Sequence, residues 1–120
     1  MQSPTVVLLQ RDSSLAEYLT PSLPATFNIS YARTLDEVRD ALREISSGVV
    51  VLDMEMVSLR EISQLSSDFS QASIICNHRT PDDRLWVQAI NAGAVDCCAS
   101  SDVVGIARAV HKNAAALNAA

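Results

Sequence analysis

The stretch Gly48-Val49-Val50-Val51-Leu52-Asp53 constrains the fold more than any other part of the chain. Consecutive branched aliphatic residues with no polar alternation predict a strand buried on both faces, the pattern of a central strand in a parallel sheet. The run ends in a carboxylate. In open α/β sheets, ligands and chemistry sit in the crevice beyond the carboxyl ends of the strands, so Asp53 is a candidate functional group. The plainer reading makes it the first residue of a polar loop, and the other strand ends decide between the two.

Similar runs recur at regular intervals. Thr5 to Leu9 predicts a second buried strand, and Ala72 to Cys76 and Ala94 to Ala99 predict two more. Phe27 to Ala32 alternates Phe27, Ile29 and Tyr31 with Asn28 and Ser30, as in an edge strand with one wetter face. Helix starts fall between them. Ser14-Leu15-Ala16-Glu17, Thr34-Leu35-Asp36-Glu37 and Ser58-Leu59-Arg60-Glu61 each have capping-box spacing, in which two side chains satisfy each other's free backbone donors. Leu35, Val38, Leu42 and Ile45 then line one helical face. Thr80-Pro81-Asp82-Asp83 predicts a fourth helix, with Thr80 as cap and Pro81 in the first turn, closed by Gly93. Asp102 falls in the first turn of a fifth helix carrying Val103, Val104, Ile106, Ala107 and Val110. Five strands alternating with five helices predict an α/β sandwich, a parallel sheet covered on both faces.

The totals narrow the function. A length of 120 residues predicts one domain over 1–120, with a core over about 5–112 and an Ala-rich helix extension or connector over 113–120. A net charge of -5 argues against nucleic-acid binding by this domain, and Arg79 with Arg84, and Arg108 with His111 and Lys112, read as solvated charges. No stretch is apolar for long enough to cross a membrane, and no basic start leads into an apolar core, so a cytoplasmic location is expected. With 3 glycines, neither a dinucleotide fingerprint nor a phosphate-cradling loop can be written, and no Gly-x-Ser-x-Gly turn marks a hydrolase. Cys76, Cys97 and Cys98 lack metal-site spacing, and the adjacent Cys97 and Cys98 face opposite sides of a strand.

The strand ending Val-Val-Leu-Asp at Asp53, and Ala92-Gly93-Ala94 before the last strand, resemble the response-regulator receiver family of two-component signalling in their order and spacing. The resemblance covers Thr5 to about Lys112. It implies a (βα)₅ flavodoxin-like three-layer sandwich with sheet order 2-1-3-4-5, and Asp53 as phosphoacceptor at the tip of the central strand. It also implies helpers for phosphoryl transfer: an acidic pair holding magnesium, a hydroxyl on the fourth strand, and a switching aromatic and a lysine on the fifth.

Carried over position by position, most helpers are replaced. The acidic pair falls on Gln10 and Arg11, the hydroxyl on His78, or on Asn77 with a register shift of one, the aromatic on Cys97 and the lysine on Ser100. The proline that usually follows the lysine falls on Ser101, and the proline after the acceptor on Val57. Two arrangements are open at the acceptor. Arg11 folds over Asp53 as a counter-ion, or Asp12 and Glu55 retain a weak magnesium site. The first implies a degenerate receiver with no cofactor, signalling by protein contact without phosphorylation. The second implies a working receiver phosphorylated at Asp53. In either case the expected partners are proteins, namely an output domain, a histidine kinase or a second copy, engaged through the fourth helix, fifth strand and fifth helix. Leu85 and Trp86 are the interface candidates, because neighbours on a helix cannot both point at the core. No enzymatic activity beyond autophosphorylation is expected.

Overall fold

A computed structural model describes residues 3–45 and 47–118. Strands β1 (Thr5–Leu9), β2 (Asn28–Ala32), β3 (Gly48–Asp53), β4 (Ala72–His78) and β5 (Asp96–Ala99) alternate with helices α1 (Ser13–Leu19), α2 (Leu35–Arg43), α3 (Leu59–Asp68), α4 (Asp83–Asn91) and α5 (Val103–Asn118). One 3₁₀ turn, Thr20–Ser22, follows α1. The strands form a single sheet in the order β2-β1-β3-β4-β5, and every pairing is parallel. The alternation of apolar runs and helix starts predicts the covered parallel sheet, and the resemblance implies this (βα)₅ flavodoxin-like sandwich and its strand order.

Both faces of the sheet are covered because both faces of its central strands are apolar. All of β3 is buried. On one side Val49 and Val51 join Val6, Leu8, Ile75, Leu15, Leu19, Ile106 and Val110, which places α1 and α5 together. On the other, Val50 and Leu52 join Val7, Leu9, Ile74, Val38, Leu42, Ile62, Leu65 and Ala89, beneath α2, α3 and α4. Cys98 packs into the first cluster and Cys97 into the second, so the adjacent thiols do face opposite sides.

The helix caps depart from the sequence reading in an instructive way. Asp12, not Ser14, caps α1, its carboxylate accepting the Ser14 N–H at 2.9 Å. Asp82, not Thr80, caps α4 through the Leu85 N–H at 2.8 Å, which leaves Pro81 ahead of the helix. Asp102 lies just before α5, not in its first turn, and accepts the Gly105 N–H. In each case a carboxylate is present within two residues of the expected helix start. A charged acceptor bonds the free donors more strongly and favours the positive end of the helix dipole. At α2 Thr34 caps as expected, but Glu37 accepts from the Arg33 N–H instead of closing the box. Of the three expected boxes, that of Ser58 and Glu61 at α3 is the fully reciprocal one.

Three strand boundaries also differ, and β4 runs on to His78, two residues past the expected Cys76. β2 begins at Asn28 and β5 at Asp96, later than the apolar residues suggested. Ala94 and Val95 lie in the connection from α4, where the Val95 N–H already donates to the Ile74 carbonyl at 2.7 Å. Gly93 precedes them with φ of 116°, a left-handed conformation that glycine adopts without steric cost, and an added Cβ there would meet the Ser66 side chain. The extension expected over 113–120 is the end of α5 up to Asn118, and 119–120 lie outside the described residues.

Candidate functional site

The carboxyl ends of β1, β3, β4 and β5 bring the site together. Asp53 ends β3 and pairs in register with Asn77 of β4, while Gln10 lies one residue beyond the last β1–β3 pair, Leu9 with Leu52. Asp53 is only 6% exposed. Its Oδ2 accepts the Arg11 backbone N–H at 3.1 Å, and its Oδ1 accepts the Glu55 backbone N–H at 2.9 Å. Backbone donors therefore hold both oxygens. Among the described residues no arginine, lysine or histidine nitrogen lies within salt-bridge distance of this carboxylate.

Behind Asp53 sits a neutral polar network. Gln10 and Asn77 exchange amide hydrogen bonds, Gln10 Nε2 to Asn77 Oδ1 at 2.7 Å and Asn77 Nδ2 to Gln10 Oε1 at 3.0 Å. Gln10 Nε2 also donates to the Val51 carbonyl, and Asn77 Nδ2 to Ser100 Oγ at 2.8 Å. The positions that the resemblance assigns to an acid, a hydroxyl and a lysine are thus joined by amide and hydroxyl groups that need no charge. Asn77 is fully buried and points into this network, whereas His78, the first choice for the hydroxyl position, points away. His78 Nδ1 accepts the Thr80 N–H, and its Nε2 lies 3.9 Å from Glu55.

Glu55 gathers the charges. Its Oε2 accepts from Arg11 at 2.8 Å, and its Oε1 from Arg79 Nε at 2.8 Å and from the Arg79 backbone N–H at 3.3 Å. The Arg11 guanidinium therefore pairs with Glu55 and not with Asp53, to which Arg11 is bonded through its backbone N–H. Arg79, read from sequence as a solvated charge, is the second partner. Asp12 caps α1 through Oδ1, and Glu55 accepts from two guanidiniums, so both expected magnesium ligands already have partners. Among the described residues no group of three or more His, Cys, Asp or Glu side chains is placed to hold a metal ion.

The bond from Arg79 is the main reason the Glu55 carboxyl is held below its ordinary 4.5, with further help from Arg11. A carboxyl depressed in the folded state adds stability above its ordinary value and loses it as pH falls through the folded value. The difference in urea midpoint between the native chain and Glu55→Gln is therefore expected to narrow between neutral pH and about pH 3. A difference that is constant with pH would show that the charge on Glu55 carries no stability.

The remaining positions take simpler roles. Cys97, at the position that the resemblance assigns to the aromatic, has its Sγ 3.9 Å from the Met54 sulfur, and burial raises its thiol above the usual value. Burial also pushes Cys98 up to about 11 and Cys76 up to about 12, so these thiols stay protonated and poorly nucleophilic near neutrality. Val57 packs against the α2–α3–α4 side of the core. A groove of about 370 Å³ opens over Asp53, walled by Leu15, Tyr18 and Val103 and rimmed by Arg11, Arg79 and Ser101. On α4, Trp86 is 47% exposed and Leu85 half-buried, and α4 and α5 both contact β5. No helix among the described residues is long and apolar enough to cross a membrane.

The pair Glu55 and Arg79 had a readable signal. Asp53 lies opposite Asn77, and Glu55 and Arg79, each two positions further along its chain segment, carry opposite charges. The exchange between Gln10 and Asn77 had none, since an amide at a strand end is compatible with many partners.

Comparison with known proteins bears on the fold. No protein-family model matches the chain, and no curated protein matches it by sequence. Solved structures do. A response regulator from Thermotoga maritima superposes with a TM-score of 0.84 at 21% identity, over 94% of this chain and 98% of that one. An orphan response regulator of H. pylori gives 0.80 at 16% identity, over 93% and 97%. An atypical orphan response regulator, described as having a phosphorylation-independent regulatory mechanism, gives 0.72 at 14% identity, over 92% and 94%. The chain has the response-regulator receiver fold.

Proposed function

We propose that this chain is a receiver-like signalling module that acts through protein contacts and does not depend on phosphorylation of Asp53. The observation that carries the reading is the pairing of Arg11 and Arg79 on Glu55 beside Asp53. Phosphoryl transfer to a carboxylate needs a divalent cation held by oxygen ligands. Here a fixed guanidinium comes from one of the two positions that would supply those ligands, and the other supplies an amide already bonded to Asn77. Ser100 at the lysine position offers the phosphoryl oxygens no positive charge, and Asn77 binds its hydroxyl. The likeness to a phosphorylation-independent regulator agrees with this reading.

The contact face in this account is α4, β5 and α5, with Trp86 as its aromatic anchor for an output domain, a kinase or a second copy. Tryptophan is among the residue types enriched at interface hot spots. Magnesium titration followed by amide chemical shifts tests the site directly. The reading expects no saturable shift at Arg11, Asp53 or Glu55, and a saturating shift confined to these residues would favour a working phosphoacceptor.

A further inference from the structure

We propose that the Glu55 side chain is a latch that fixes the entry to α4, and so couples the loops around Asp53 to the face that carries Trp86. Three loops meet on this one carboxylate. Arg11 comes from the β1–α1 loop, Arg79 and His78 from the end of β4 and the loop into α4, and Glu55 itself from the β3–α3 loop. Its own backbone N–H is tied to Asp53. The link from latch to face is short: Arg79 is followed by Thr80 and Pro81, then by the Asp82 cap, and the Trp86 N–H donates to the Asp82 carbonyl.

Ordinary surface ion pairs contribute little, because both partners are solvated and mobile. Glu55 differs from that case. Its side chain is only 11% exposed although its arginine partners are 53% and 70% exposed, so the acceptor is held while the donors reach in to it. Arg79 is engaged twice, by backbone N–H and by Nε on the same oxygen, which fixes the direction in which the chain leaves β4 as well as the side chain. By comparison, Arg43 and Asp40 pair within one helix with both side chains largely exposed, and they join no separate elements.

A latch of this kind has two states, with Arg79 on Glu55 or released, and anything that binds one of them better shifts the balance. A partner docking on α4 would sense the state of Glu55, and by linkage would change it. The role of α4 as a docking face rests on the proposed function, but the latch is a property of the isolated chain. It can therefore fail or stand whether or not Asp53 accepts a phosphoryl group.

The test uses the whole chain and its 1 tryptophan. In Glu55→Ala, amide exchange at Arg79 and Thr80 is expected to accelerate by about tenfold, with β3 amides unchanged, and Trp86 emission is expected to shift. Arg79→Gln severs the side-chain bond to Glu55 alone and is expected to produce the same emission shift and to speed exchange at Thr80; it carries the test if Glu55→Ala does not fold. Arg43→Gln serves as the control and is expected to leave both readouts at native values. Native exchange at Thr80 together with native Trp86 emission in Arg79→Gln would overturn the proposal.

Discussion

Ile106→Ala is expected to destabilise the fold by about 2–5 kcal/mol, measured as a lower urea midpoint with an unchanged slope. Ile106 is fully buried and sits where α5 packs on α1 and on the sheet, among Leu8, Val51, Ile75 and Val110. Removing its side chain loses transfer energy and leaves a cavity that the rigid central strands cannot collapse to fill. Two residues earlier on the same helix, Val104 is 68% exposed, and Val104→Ala is expected to stay within about 0.5 kcal/mol of native. Helix propensity cannot produce that contrast, since both changes introduce alanine. Equal effects at the two positions would mean that α5 is rotated from the placement described here.

Asn77→Leu is expected to cost about 1–3 kcal/mol by a different mechanism. Asn77 is fully buried, and its amide is bonded to Gln10 and Ser100. Leucine keeps the branched shape but leaves the Gln10 amide and the Ser100 hydroxyl without that partner in a partly buried site. Removing one member of a buried polar pair exposes the full desolvation penalty of the other, whereas removing both relieves it. The double variant Gln10→Leu with Asn77→Leu is therefore expected to cost less than the sum of the two single changes. Additive costs would show that the two amides do not act as a unit. This network gives a physical meaning to the replaced positions, because Gln10, Asn77 and Ser100 fill with hydrogen bonds a space that the resemblance assigns to metal and phosphoryl chemistry.

How much of this was legible in the sequence depends on the range of the interaction. The strands at Val6–Leu9 and Val49–Leu52 could be read because a strand buried on both faces has no room for polar residues, a constraint visible within a few positions. Helix starts were legible to within two residues. The choice among Asp12, Ser13 and Ser14, or between Thr80 and Asp82, turns on which acceptor reaches the free N–H groups, and composition at the start does not settle that. Val95 looks like strand sequence, yet the turn at Gly93 leaves it ahead of the paired residues of β5.

The site was legible as a set of positions but not as a set of partners. Asp53, Gln10, Asn77 and Ser100 do converge, since parallel strands deliver their carboxyl ends to one edge. Arg11 nevertheless turned to Glu55, because Asp53 already accepts two backbone N–H groups in a buried setting, while the Glu55 carboxylate, itself little exposed, can be reached by long cationic side chains that stay partly solvated. That choice depends on loop geometry spanning residues far apart in the chain, and no local pattern encodes it.

The central claim is that Asp53 occupies the phosphoacceptor position without the means to accept a phosphoryl group. Incubation of the whole chain with a small phosphodonor and magnesium, followed by intact-mass measurement, tests it most directly. The account predicts that the mass of the native chain does not change. A stable phosphoryl adduct that is absent from Asp53→Asn would contradict it.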